Sequence, residues 1–181
     1  MPDEFKKTIR ETFRKFSDVT FIWKYEREED NIGEGIENII TSSWVPQNDL
    51  LHDRRLSAFI THCGIGSSIE ANVAGVPRIV IPVMGDQMRN AQLVKRNQVG
   101  IVLFKESLRG GNELEEAIRD ILGEKRYKEN AKRLSSMIAK RPFAVKDIFI
   151  RNMEFIAEFG PLTNLDHYGA THAYNSSIKK S

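Results

Sequence analysis

Phe5, Ile9, Phe13 and Phe16 recur every three or four residues in an otherwise charged opening segment, a spacing that predicts an amphipathic helix over 2–16. The apolar pattern then tightens. VTFIWKY (19–25) is β-branched and aromatic and reads as a strand, and NIITSS (38–43) reads as a second one ending near Trp44. Acidic 26–30 and the IGEG segment at 32–35 read as a solvated loop between them. A proline turn and a short helix follow within 44–57, then a buried strand at 58–62 and a helix at 66–75 closed by Gly75. PRIVIPV (77–83) predicts a strand, 86–97 a helix and VGIVLF (99–104) another strand. From Asn112 the pattern is helical, with Leu114, Ile118, Ile121 and Leu122 as one apolar stripe, followed by helices over 125–140 and 142–159.

Strands alternating with helices at this spacing imply right-handed βαβ units, hence a parallel sheet with helices on both faces. Such sheets bind ligands outside the carboxyl ends of their strands, and Trp44, His62 and Asp86 all fall just after a predicted strand. The fold class is therefore α/β. One domain is expected over 1–159, with an irregular, polar tail over 160–181.

Composition narrows the partners. The chain has 181 residues, 40% hydrophobic and 29% charged, enough for one globular domain with a proper core. Its net charge is only +2 and shows no basic stripe with interleaved aromatics, so nucleic acid is not an expected partner. In GEKRYKENAKR the charges alternate, and Glu124 and Lys128 are spaced for an i,i+4 pair on a solvated helix. Cys63 is the single cysteine, so no internal disulfide can form. The charged first ten residues lack the form of a signal peptide, and no run of about 18 apolar residues could span a membrane. The chain by itself reads as soluble. Asn175-Ser176-Ser177 fits a glycosylation acceptor, a triplet too short to carry weight alone.

The densest chemistry lies in THCGIGSSIE, residues 61–70. Glycines at a strand-to-helix turn let backbone N–H groups approach an anion, and the helix N-terminus adds partial positive charge, so a phosphate is the first candidate ligand. Each residue also has an ordinary reading. Ser67 and Glu70 have the S-x-x-E spacing of a capping box. His62 suits a buried imidazole, Asp86 a helix cap, Trp44 the core, and Cys63 a small buried hydrophobe. A dinucleotide fingerprint fails because Ile69 stands at the third glycine position and no acid terminates the next strand. A P-loop is excluded by the absence of Gly-Lys-Ser/Thr, and His52 and His62 have no metal-binding partner at usable spacing, so no metal is expected.

The joint order is more specific than any single residue. Trp44-Val-Pro-Gln47, His62-Cys63-Gly64, Ser67, Glu70, Gly75-Val-Pro77, Pro82 and Asp86-Gln87 span about a quarter of the chain and resemble the signature of the UDP-glycosyltransferases. WVPQNDLL, GDQMRNAQ and EFGPLTNLDHYG look most like animal UDP-glucuronosyltransferases, particularly nematode ones, whereas the HCG triplet matches the plant spelling. The resemblance implies the C-terminal, donor-binding half of a GT-B fold, Rossmann-like, with its first strand missing. It implies that Trp44 stacks on the uracil and that Val45 and Gln47 hydrogen-bond the uridine. His62, Gly64, Gly66, Ser67 and Ser68 would hold the diphosphate, Glu70 the ribose hydroxyls, and Asp86 and Gln87 the donor sugar.

The activity so implied is transfer of a hexose or hexuronic acid from a UDP-sugar, UDP-glucuronate or UDP-glucose, to a small lipophilic acceptor, with no further cofactor. Two departures touch the sugar: Gly66 stands where members often place Asn, and Ile65 where plant members place Trp. The family's catalytic His–Asp pair belongs to an N-terminal acceptor domain, so no catalytic residue is expected in this chain. That domain is the implied partner, in cis or in trans. A non-catalytic UDP-sugar-binding subunit is the alternative. For full-length animal members the resemblance implies the lumenal side of the endoplasmic reticulum membrane.

Overall fold

The computed structural model describes residues 1–162. His167, His172 and the 175–177 triplet lie outside the described residues, as does most of the 160–181 tail. The element order is α1 (Asp3–Arg14), β1 (Phe21–Lys24), β2 (Ile39–Ser42), α2 (Gln47–His52), β3 (Phe59–Thr61), α3 (Ile65–Ala74) and β4 (Arg78–Val80). There follow α4 (Gln87–Arg96), β5 (Gly100–Val102), α5 (Glu113–Gly123), α6 (Lys125–Ala139) and α7 (Val145–Phe159). Each expected element is present, with strands shorter than their apolar runs because only the paired centre of each run joins a ladder.

The chain divides into two compact units, Met1–Lys140 and a second beginning at Arg141. Within the second unit, α7 brings Phe155 and Phe159 together one turn apart, ring centroids 4.8 Å from each other and planes tilted by 45°.

In the first unit every strand pair is parallel. The pairing falls into two ladders instead of one continuous sheet: β1 with β2, and β3–β4–β5. Phe21 lies opposite Ile39, while Ile60, Ile79 and Ile101 align across the second ladder.

Alternation along β4 decides which helices cover which face. Ile79 is 1% exposed and joins Ile9, Phe13 and Phe16 with Leu114, Ile118 and Ile121, so α1 and α5 cover that face. Val80, fully buried, joins Cys63, Ala91, Val94 and Ala131 on the other. The unit is thus α/β with helices on both faces of β4. Leu122 departs from the expected stripe: Leu114, Ala117, Ile118 and Ile121 are buried, but Leu122 lies one position round the helix and is exposed. Gly75 closes α3 at φ +71, a left-handed conformation in which a side chain would be strained.

Local polar contacts fix the entry segment. Asn38 Nδ2 donates to the carbonyl oxygens of Phe13 (2.9 Å), Phe16 (2.8 Å) and Val19 (3.0 Å), satisfying acceptors at and beyond the end of α1. The Phe13 and Phe21 rings stack at 3.8 Å, joining α1 to β1. Asp30 is not the solvated loop residue the sequence suggests. It accepts from Lys6 Nζ at 2.7 Å and from the Tyr25 hydroxyl, which holds its carboxyl below the usual range and Lys6 above its own. Glu124 pairs with Arg126 at 2.5 Å, not with Lys128, because it stands at the N-cap position, outside α6, where the helical i,i+4 spacing does not hold.

Candidate functional site

The carboxyl ends of β2 and β3 bring the expected residues together. Trp44 follows β2 by two positions and is 70% exposed, which removes the core reading. A side-chain turn steadies it, Ser42 Oγ donating to the Trp44 carbonyl at 2.5 Å. Its ring is therefore a free aromatic plate. Val45, half-buried, accepts at its carbonyl from the Gln47 N–H at 2.8 Å, and Gln47 opens α2.

His62 directly follows β3 and is exposed, so the buried-imidazole reading also falls. The next residue makes the turn. Cys63 adopts φ +69, which L side chains enter at a cost of about 1–3 kcal/mol, and this sends its side chain into the core while the chain reverses into α3. Cys63 Sγ lies 3.5 Å from Ser68 Oγ. Gly64 is the N-cap of α3, so the helix starts one residue before the predicted boundary and Ser67 already lies inside its first turn. The capping-box reading of Ser67 and Glu70 fails for that reason, and no side-chain cap bond is present. A Cβ on Gly66 would meet nothing within 4 Å, so the chain's own packing does not demand glycine there.

What Ser67 and Glu70 do instead is meet Gln47. Gln47 Nε2 donates to Glu70 Oε2 at 2.8 Å and to Ser67 Oγ at 3.2 Å, joining residues twenty or more positions apart. The amide orientation follows from the acceptor-only carboxylate. α2 and α3 are thereby clamped with a carboxylate, a hydroxyl and an amide on one rim.

Asp86 ends the loop after β4 and Gln87 opens α4. Asp86 holds the N-cap position of α4 but makes no cap bond, accepting instead from Asn90 Nδ2 at 2.8 Å. Gln87 Oε1 accepts from the N–H groups of Val83 (2.7 Å) and Met84 (3.0 Å), so it braces the loop from within. Asn90 Nδ2 also reaches the Cys63 carbonyl at 3.0 Å and ties this loop to the 62–66 turn. Asn90, Asn72 and Arg78 were not among the expected site residues. The visible signal for one of them was a charge inside the apolar run PRIVIPV.

The described histidines offer no oriented base. His52 Nδ1 lies 2.8 Å from the Asn48 carbonyl, and neighbouring Asp53 is engaged by Arg55, which pulls its carboxyl down to about 2. Among the described residues neither His52 nor His62 is bonded to a carboxylate, no three potential ligands converge on a metal position, and no helix is long and apolar enough to cross a membrane. Concavities of about 490 and 400 Å³ lie elsewhere, beside Lys6, Arg10 and Asp30 and beside Tyr25 and Ser42. At the candidate site Trp44, His62, Ile65 and Asp86 are all exposed, so it presents an open rim.

The model of the family described as UDP-glucoronosyl and UDP-glucosyl transferase matches residues 1–174. The Caenorhabditis elegans protein ugt-48 is 32% identical over 173 residues, covering 93% of this chain and 33% of that protein. UDP-glucuronosyltransferase 1A8 of Rattus norvegicus is 34% identical over 154 residues, covering 84% of this chain and 27% of that protein. Among solved structures, Os79 from O. sativa in complex with UDP superposes with a TM-score of 0.61 at 25% identity, covering 74% of this chain and 31% of that one. The structural neighbours are GT-B glycosyltransferases. The chain spans about a third of the length of the curated relatives it matches. With its α/β parallel architecture, this chain belongs to the UDP-glucuronosyl and UDP-glucosyl transferase family.

Proposed function

We propose that the rim from Trp44 to Gln87 is the donor-nucleotide subsite of a UDP-glycosyltransferase and that this chain is its donor-binding half. The carrying observation is the Gln47–Ser67–Glu70 clamp, with the exposed Trp44 three residues before Gln47 in the chain. A uridine needs an aromatic plate for its base and an acceptor pair for its ribose hydroxyls, and both stand on one rim. The N–H groups of 64–67, at the start of a ten-residue helix, suit the diphosphate, while that of Ser68 already donates to the Gly64 carbonyl at 3.0 Å. The unfilled space over Gly66 lets a ligand approach the backbone closely. Os79, bound to UDP in its crystal, supports uridine diphosphate as the ligand class.

The whole activity, transfer of a hexose or hexuronic acid to a small lipophilic acceptor, needs a general base on the acceptor hydroxyl, oriented by a second group. Neither described histidine has such a partner, which favours an acceptor domain supplying the base in cis or in trans. The same observation supports the second reading, a UDP-sugar-binding subunit. The lumenal face of the endoplasmic reticulum is the compartment proposed for the complete protein, by analogy with the animal family members.

Titration calorimetry with UDP and ADP tests the nucleotide assignment. UDP is expected to bind more tightly than ADP, because stacking serves any base and only edge contacts near Val45 and Gln47 separate them. Trp44→Ala should weaken both, a stacked base being worth about 1–3 kcal/mol. Equal affinities for UDP and ADP would sink the assignment.

Asp86 and Gln87 are expected to part company. Asp86→Ala should leave UDP affinity unchanged and flatten the preference among UDP-sugars. Gln87→Ala, which also frees the Val83 and Met84 N–H groups, should lower melting as well. Loss of plain UDP binding in Asp86→Ala would assign Asp86 to loop shape alone.

A further inference from the structure

Beneath α3 lies a cation to which none of the roles above gives a task. Arg78 opens β4 and is 3% exposed. Its Nη1 donates to the Ser68 carbonyl at 3.1 Å and its Nη2 to Asn72 Oδ1, while Nε has no partner among the described residues. Ser68 and Asn72 are one turn apart on α3, so the guanidinium clasps a single turn of the helix that carries Ser67 and Glu70. Both acceptors are neutral, and no carboxylate reaches the guanidinium among the described residues. A guanidinium stays protonated in proteins, so a full positive charge is buried here without a counter-charge. Burial accordingly pushes its pKa down.

The position of this charge matters. Of the core-facing residues of the 63–68 turn, Ser68 is bonded to it through its carbonyl, and Cys63 Sγ lies 3.5 Å from Ser68 Oγ. Along the axis of α3, Ser68 is less than two turns from the free N–H groups at the helix start, each turn rising about 5.4 Å. At that range, through protein instead of water, a fixed charge is weakly screened.

We propose that Arg78 is a positioning residue whose missing counter-charge is supplied by the ligand: it fixes α3 and lends its charge to hold a diphosphate at the start of that helix. The inference rests on the donor-subsite reading above. Without ligand the domain carries an uncompensated cation, and a bound diphosphate relieves it without touching it.

The test compares UDP with uridine, which lacks the phosphates, by calorimetry and thermal melting of the wild-type chain and Arg78→Met, Arg78→Lys and Asn72→Ala. Arg78→Met should melt no lower than wild type, since removing an unpaired buried charge is often neutral or stabilising. Its UDP affinity should fall about tenfold with uridine affinity unchanged, a loss of about 1.4 kcal/mol. Arg78→Lys should recover part of that loss. UDP and uridine falling by one common factor would show that Arg78 only shapes α3, and an unchanged UDP affinity would equally overturn the proposal. Should Arg78→Met fail to fold, Asn72→Ala keeps the charge and loosens the clasp, so it should preserve the UDP-to-uridine ratio; loss of that ratio overturns the proposal. Wild-type protein binding neither compound would overturn the donor-subsite reading itself, a result distinct from all of these.

Discussion

Replacing Glu70 with Gln should weaken UDP binding more than tenfold while leaving the melting temperature nearly unchanged. The side chain is half-buried and accepts from Gln47 Nε2 at 2.8 Å. A glutamine there keeps one acceptor oxygen and the same volume, so the clamp between α2 and α3 survives. What it loses is the second acceptor and the negative charge, which let a carboxylate take both ribose hydroxyls at once. Charge-assisted hydrogen bonds are worth about twice neutral ones, so losing one or two of them accounts for a factor of ten or more. Because Glu70 caps no helix end, there is no offsetting stability term. Calorimetry with UDP and a thermal melt measure both halves. Unchanged affinity would reduce Glu70 to a partner for Gln47.

The second large effect is on stability. Ile79→Ala should cost about 2–5 kcal/mol, out of the roughly 5–15 kcal/mol that holds a domain together. Ile79 is the middle residue of the middle strand of its ladder and 1% exposed. It belongs to the core cluster that joins side chains of α1 and α5, elements separated by some hundred residues of sequence, so the cavity left by truncation has little freedom to collapse. Leu122→Ala is the internal control, because that side chain is 39% exposed and should cost well under half as much. Urea denaturation of both variants reads the difference directly. A cost at Ile79 no greater than at Leu122 would mean that the core does not form around β4.

Much of this protein is written locally. A 3.6-residue apolar repeat places Phe5, Ile9, Phe13 and Phe16 on one face of α1, and β-branched runs mark the strands, because both signals depend only on the geometry of a single element. The order of Trp44, Gln47, His62, Ser67, Glu70, Asp86 and Gln87 was equally open to reading, since Trp44, His62 and Asp86 each fall just after a predicted strand and the others open or lie within the helix that follows. Its specific meaning came from family resemblance, not from periodicity.

The tertiary structure decided everything that depends on which faces meet. S-x-x-E at 67–70 looks like a capping box until the strained turn at Cys63 starts the helix at Ile65 and leaves Glu70 to Gln47. Leu122 fits a helical stripe as well as Ile121 does, yet only the angle at which α5 lies on the sheet puts one inside and the other out. Asp30 finds Lys6 across 24 residues, and Asn38 finds the end of α1, through contacts no local window contains. Arg78 is the sharpest case. In sequence it is one charge in an apolar strand, and only the packing of α3 across β4 turns it into a buried cation without a counter-charge, because burial and pairing are properties of the assembled layers and not of any segment.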